Sequence, residues 1–479
     1  MGMPCNPSNT SGGVSSKKLR NVVTSCMIGN ALEWYDFALY GYFATIIGKL
    51  TFPPDQSPVS LLLKSYAVFF LGFIMRPLGA VVFGYIGDRH GRKKALVWSI
   101  YCMAIPTTLI GLLPTYSQVG AWSAVLLIVL RLFQGLSMGG EFTGSMIFVV
   151  EHAPEGKKGF WGSWSSLSVL IGLLLGSVFG MIISTVLDSA QLESWGWRLP
   201  FLLSFGGSWV GSVLRKATED SRDVADEECN QGSDLKGVCP EVGPLKEKFE
   251  HRNLADVKDG HRKSNATAEK PKPSPMLLGQ LFGHYWRDMI RVVVIDVVVA
   301  IGFFLVCIYI MTYVQTFSNV SYRFAVMTNT LSMLAFAATI PMAGWLSDRW
   351  GSIVVMQRSI VLLSLLSVPC FSALGSGKPW MILCAHGLLS AVMGCVFAPV
   401  PALMVSIFPP HVRYSGVSIA HNISMAIFGG SAPEVATYLV ERTQNTLMPG
   451  IFLALAGGVS WLGLQNLRAS RSDGVSKII

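Results

Sequence analysis

Ahead of residue 215, Glu33, Asp36, Arg76, Arg131 and Glu141 are ionisable side chains inside long apolar stretches and are placed to do chemistry. A charged group at the centre of a hydrocarbon layer costs at least about 2.5–3.5 kcal/mol, so such residues mark function by default. Glu33 and Asp36 are spaced i, i+3 and share one helix face, from which both can point into one cavity. Two carboxylates that close in a low dielectric resist being ionised together, which suits groups that load and release a proton. The competing explanation is a permanent buried network of these acids and arginines that only fixes helix packing.

Arg76, followed by Pro77, is a cation able to hold one carboxylate. Beyond residue 289 the apolar stretches contain Asp296, Asn329, His386, Asn422 and Glu434, while Tyr309 and Tyr313 stand four apart on one helix face. Away from stretch edges no Arg or Lys joins them, so nothing there is suited to a second or third carboxylate of a substrate. The candidate proton carriers are Glu33, Asp36 and Glu141. The candidate substrate contacts are Glu33, Trp34, Asp36, Arg76, Tyr309, Tyr313 and Asn422. Trp34, Tyr35, Tyr309 and Tyr313 offer ring faces that suit a quaternary ammonium group, although packing explains each tyrosine as well. Paired His/Glu metal spacings are absent, so neither an enzyme nor a metal or cofactor is expected, the proton being the coupling ion.

The elements that must position these residues are long helices. Of 479 residues, 51% are apolar and only 14% charged, too few charges to cover a soluble protein of this length. The apolar residues fall in blocks long enough to cross a hydrocarbon core about 30 Å thick. Twelve spans are predicted, at 21–48, 60–86, 95–113, 120–150, 160–187, 196–214, 289–317, 323–346, 353–372, 379–408, 413–440 and 449–467. With both termini placed inside and the long linker left out of the count, the inner loops and tails carry fifteen Lys and Arg against six outside, the orientation that membrane proteins prefer. The net charge of +9 is thereby explained by loops, and no nucleic-acid partner is expected. The predicted organisation is a cytoplasmic tail (1–20), a six-helix bundle (21–214), a cytoplasmic linker (215–288), a second six-helix bundle (289–467) and a short cytoplasmic tail (468–479). Asn265 heads a glycosylation sequon that this orientation keeps in the cytoplasm, and Cys229 and Cys239 in the same linker are expected to be free thiols. The tail 1–20 runs into a span with charges inside it, so the first helix is expected to stay rather than be cleaved.

An internal repeat divides the chain. The segment 84–91, GYIGDRHG, follows the second span, and 344–351, GWLSDRWG, follows the eighth. Two copies of GxxxDRxG in one topological slot imply two related halves about an axis along the membrane normal. The basic loop 88–94 is expected to gate access, Asp88 pairing with cations or a helix N-terminus in one state and releasing them in another; its bases also serve orientation. In 131–140, RLFQGLSMGG, glycines permit close helix approach around a buried arginine.

These segments resemble the major facilitator superfamily, and within it the metabolite:proton symporters that include proline/betaine, shikimate, citrate and 2-oxoglutarate carriers. The resemblance rests on 29–37 (GNALEWYDF), 72–79 (GFIMRPLG), 84–94, 131–141, 151–154 (EHAP), 197–201 (WRLPF) and 428–433 (FGGSAP), in both halves. It implies an all-α membrane fold of twelve helices in two pseudo-symmetric halves, alternating access and proton-driven uptake across an inner membrane, by a monomer in a lipid bilayer. Position by position it implies that Asp88, Arg89, Gly91 and Arg92, with Asp348 and Arg349 in the second copy, form gating loops. Arg131 and Gln134 correspond to the buried fourth-span motif and are expected to take part in gating, and Glu33 and Asp36 correspond to the acidic pair of the first helix. Three features depart from the family: Ser352-Ile353 stands where the first loop has Arg92-Lys93, the linker is long, and Glu434 follows Pro433. A zwitterion such as proline or betaine is the expected substrate, a mono- or dicarboxylate the alternative, and a non-transporting sensor a further one.

Overall fold

With no water to bond, each backbone group inside a bilayer has to find its partner along its own helix. The computed structural model describes residues 16–90, 92–207, 281–410 and 412–476, and the side chains of these except at 16–22, 25, 84–85, 87–97 and 470–476. The predicted linker and the cysteines within it therefore lie almost wholly outside the described residues, as does Gly91. The side chains of Asp88, Arg89 and Arg92 lie outside them too.

The twelve predicted spans all appear, the sixth as far as residue 207. Nine helices among the described residues are long and apolar enough to cross a membrane, and Trp98–Gly111 is a shorter apolar one. Spans three (Arg92–Gly111), five (Lys158–Val186), eight (Tyr322–Trp350), nine (Ser352–Leu374) and twelve (Met448–Ser476) are single helices. The others are interrupted. Span one is Ser16–Tyr42 and Ala44–Thr51, span two Pro58–Ile74 and Arg76–His90, span four Trp122–Ser137 and Glu141–His152, and span ten Pro379–Phe397 and Val400–Val405. Span seven (Trp286–Phe304, Ile310–Phe317) and span eleven (Arg413–Ser424, Ala432–Thr443) contain π-turns at Leu305–Tyr309 and Met425–Gly429. Span two breaks at Met75 because Pro77 has no N–H to give and its ring crowds the turn before it. Irregular backbone at membrane depth survives only where protein or a cavity surrounds it, so the interrupted spans are the ones expected at a site.

Spans two and four meet backbone to backbone. A Cβ on Gly135 would land on the Gly72 carbonyl, and one on Gly79 on the Leu136 carbonyl. Gly139 lies equally tight against Arg76 O and Ala80 N. Span five is lined with small residues and runs along span one of its own half and span eight of the other. Large apolar side chains point outward, among them Val186, Leu365 and Leu455, and exposed Trp122, Trp380 and Trp350 sit near span ends, where indole rings favour the membrane–water boundary.

The halves touch at two levels. On the face that carries the termini, Arg413 pairs with Glu151 at 2.6 Å, and Asp348 accepts the Gly159 and Phe160 N–H groups at 2.6 and 2.9 Å. Towards the opposite face Ser177 and Thr330 share a 2.8 Å hydrogen bond, and Tyr42 O–H donates to Met333 Sδ at 3.4 Å. Contacts thus bridge the halves at both levels.

Candidate substrate and proton site

Arg76 opens the second part of span two and is buried. Its Nε–H donates to Asn422 Oδ1 of span eleven at 3.1 Å. Asn422 in turn donates from Nδ2 to Gly139 O of span four (2.6 Å) and Ser418 O (2.9 Å). One amide thus ties the second half to both glycine-packed spans of the first. The guanidinium lies 5.7 Å from the Trp34 ring and 5.3 Å from the Phe73 ring, and the Glu33 and Asp296 carboxylates both act on it electrostatically.

Glu33, Asp36 and Glu141 line one small cavity, together with Gly29, Leu32, Ser99, Ile100, Met103 and Ser137. Spacing alone brings Glu33 and Asp36 to one face; the break at 138–140 brings Glu141 to them. Glu141 is the first residue of a half-helix, where the unpaired N–H groups favour negative charge. The cavity lies among spans one, three and four, inside the first half, and the Arg76 cluster lies beside it at the junction of the halves.

The aromatic residues divide. Trp34 packs across the junction on Phe303 (5.3 Å between centroids) and Phe304 (6.2 Å), and Tyr309 faces Tyr66 at 6.4 Å. Tyr313 turns instead to Phe317 and Phe371, its hydroxyl donating to Thr446 O at 2.9 Å inside the second half. Tyr35 donates to Pro200 O of the sixth span at 2.9 Å. Trp34, Phe73, Phe303 and Phe304 thus form a ring cluster at the junction and Tyr309 meets Tyr66 across it, whereas the hydroxyls of Tyr313 and Tyr35 bond within their own halves.

Arg131 is enclosed by Tyr40, Phe37 and Phe69 at 4.2, 4.3 and 5.1 Å and donates to Gln134 Oε1 at 2.8 Å; Gln134 donates to Thr107 at 2.6 Å. These contacts lie within the first half, away from both bridged levels. Of the second repeat, Asp348 caps span five across the junction, as expected of such an acid at a helix N-terminus, and Arg349 lies over the Trp345 ring at 3.8 Å.

Two buried histidines complete the second half. His386 Nε2 reaches Val306 O at 2.9 Å, a carbonyl within the π-turn of span seven. His421 Nδ1 and Asp296 Oδ2 are 2.9 Å apart, and neither residue is exposed. His421 was not among the residues expected to act, although its signal is present in the sequence: an ionisable group inside an apolar span, beside Asn422.

Residues 26–433 match the family profile described as Major Facilitator Superfamily. The proline/betaine transporter of Escherichia coli strain K12 is 31% identical over 93% of this chain and 83% of its own length. The glycine betaine/proline/ectoine/pipecolic acid transporter of Dickeya dadantii is 30% identical over 94% of this chain and 83% of its own. Among solved structures, the proton:xylose symporter XylE bound to 6-bromo-6-deoxy-D-glucose superposes with a TM-score of 0.67 at 13% identity, covering 95% of this chain and 96% of that one. An inward-open form of XylE from E. coli gives 0.63 at 14% identity over 94% and 95%. At such identities the structural likeness speaks for the fold, while the profile and the sequence relatives speak for descent. This chain is a multi-pass membrane transporter and belongs to the major facilitator superfamily.

Proposed function

We propose that the chain carries a small zwitterion, proline or glycine betaine, together with a proton, by alternating access. The observation behind this reading is one buried guanidinium, Arg76, held across the two halves by Asn422 beside the rings of Trp34 and Phe73. One cation suits one carboxylate, and the ring faces suit a quaternary ammonium or an apolar pyrrolidine. The names of the E. coli and D. dadantii relatives agree with that chemistry. Glu33, Asp36 and Glu141 around one cavity are the proton carriers in this reading, because carboxylates crowded there exchange protons more readily than all ionise.

Transport follows from the two bridged levels. Opening one face parts Asp348 from span five and Arg413 from Glu151; opening the other parts Ser177 from Thr330 and Tyr42 from Met333. In each state Arg76 stays at the pivot. We place the protein in an inner membrane as a monomer with cytoplasmic termini, consistent with the basic residues of the terminal-face loops. No cofactor and no covalent chemistry enter this cycle.

A thermal-shift panel of amino acids, betaines and organic acids on purified protein tests the substrate, since a ligand raises apparent stability by mass action. Proline and glycine betaine are expected to stabilise, and both are expected to show counterflow in proteoliposomes. Uptake of labelled citrate or 2-oxoglutarate without proline or betaine would overturn the zwitterion in favour of an organic acid. Stabilisation without counterflow would make the protein a sensor.

A further inference from the structure

We propose that Asp296 and His421 form a second proton-carrying site, in the half opposite to Glu33, Asp36 and Glu141, and that its charge governs how Arg76 is shared between the halves. The inference rests on the proton-coupled reading above and extends it to residues that neither the repeat nor the family motifs mark.

The geometry comes first. His421 on span eleven and Asp296 on span seven share one 2.9 Å hydrogen bond through Nδ1 and Oδ2. Both side chains are fully buried, and the outer atoms of the pair, His421 Nε2 and Asp296 Oδ1, have no hydrogen-bond partner among the described residues. A pair built only for packing would have these lone-pair and donor positions filled, since a buried polar atom left bare costs about 1–3 kcal/mol. The imidazole ring lies 5.4 Å from the Phe142 ring of span four, directly after Glu141, so the pair abuts the first half. Its sequence neighbour, Asn422, is the residue that holds Arg76.

The charged and titratable groups on the surrounding elements are few. Span two contributes Arg76, span one Glu33 and span four Glu141; His386 of span ten is turned to the Val306 carbonyl. The Arg413–Glu151 pair closes the terminal-face end of span eleven. Arg76 is thus the cation between an acid of the first half, Glu33, and an acid of the second, Asp296.

The proton step follows. A proton from the aqueous phase on the side of higher proton activity binds His421 Nε2, giving an imidazolium whose charge is balanced by Asp296 through the existing Nδ1–H bond. No covalent bond other than N–H forms or breaks. The pair changes from net negative to neutral, so its hold on Arg76 weakens and the guanidinium is freed for a substrate carboxylate. Loss of the proton on the other side restores the negative pair, which competes for Arg76 and expels the substrate. Proton and substrate are then linked by one shared cation, and linkage makes each raise the other's affinity by the same factor.

The test uses full-length protein in proteoliposomes with labelled proline and glycine betaine. His421→Gln, Asp296→Asn and the double variant are compared; the double variant keeps a neutral hydrogen-bonded pair, which guards against misfolding from a lone buried charge. Gradient-driven accumulation is expected to fall by at least about fivefold in all three; exchange at equal pH stays within about threefold of the parent in Asp296→Asn and the double variant, which leave Arg76 free, and falls in His421→Gln, whose unbalanced carboxylate keeps hold of it. Accumulation retained by all three would overturn the proposal, as would loss of exchange and accumulation together in a folded double variant. If the parent itself accumulates neither substrate, the transport reading fails separately. The pair is then read from ¹⁵N-histidine spectra of the purified protein. The resonance missing in His421→Gln is expected to report two protonation states as the pH is varied, and a His421 fixed in one state throughout would overturn the inference.

Discussion

Arg76 Nε donates to Asn422 Oδ1 at 3.1 Å, joining the second span of one half to the eleventh span of the other. Asn422 is itself anchored on Gly139 O, at the break in span four. The position of this buried cation, on span two, therefore depends on spans eleven and four and on how the halves meet.

Arg76→Lys keeps the charge but loses the planar fork and the Nε donor. Asn422→Ala removes the acceptor of Arg76 Nε and the 2.6 Å donor to Gly139 O. Each is expected to weaken substrate affinity by roughly tenfold or more, the loss of a hydrogen bond to a charged group being worth about 1.5–3 kcal/mol. Isothermal titration of purified variants measures it, and wild-type affinity in both would remove Arg76 from the site.

Glu33→Gln and Asp36→Asn preserve shape and delete the titrating groups that share a cavity with Glu141. Gradient-driven uptake is expected to be abolished while some substrate exchange persists. The comparison of counterflow with uphill uptake reads this directly. Full proton-coupled accumulation in both variants would take these acids out of coupling.

Asp348→Asn removes a negative charge from the first turn of span five while keeping an acceptor for Gly159 and Phe160 N–H. A charge at that place is worth about 0.3–1 kcal/mol, so the terminal-face-open population should rise by up to about fivefold. Spin labels on the terminal-face ends of spans five and eight, measured by pulsed dipolar spectroscopy, are expected to show a longer mean distance. A distribution identical to the parent's would deny Asp348 a latch role.

Gly135→Val forces a side chain onto the Gly72 carbonyl, where backbone rather than a flexible side chain would have to move. Overpacking of this kind costs at least about 1–3 kcal/mol. The melting temperature is expected to fall and the size-exclusion peak to broaden, whereas Gly206→Ala, whose Cβ meets nothing, should behave as the parent. Equal melting of all three proteins would show that spans two and four tolerate separation.

Much of the architecture was legible because a bilayer imposes local rules. Apolar blocks of fixed length gave the twelve spans, loop bases gave the expected orientation, and the doubled GxxxDRxG gave the two halves. Glu33 and Asp36 were legible as a pair because i, i+3 spacing on a helix leaves them one face to share. Tyr309 and Tyr313 obey a similar rule, yet only Tyr309 faces the other half, at Tyr66; the π-turn at Leu305–Tyr309 shifts the helix phase just before them. Asp348 capping span five needed both halves in place before its partner existed.

The sequence by itself determined the class of molecule, the count of spans and which side chains are too costly to bury without purpose. It could not say that Arg76 meets Asn422, 346 positions away, or that Asp296 meets His421, 125 positions away. Such meetings depend on the rotation and depth of each helix, which glycine contacts, π-turns and proline breaks set across the whole bundle. Local periodicity states which face a residue occupies; only the packed bundle decides what stands opposite that face.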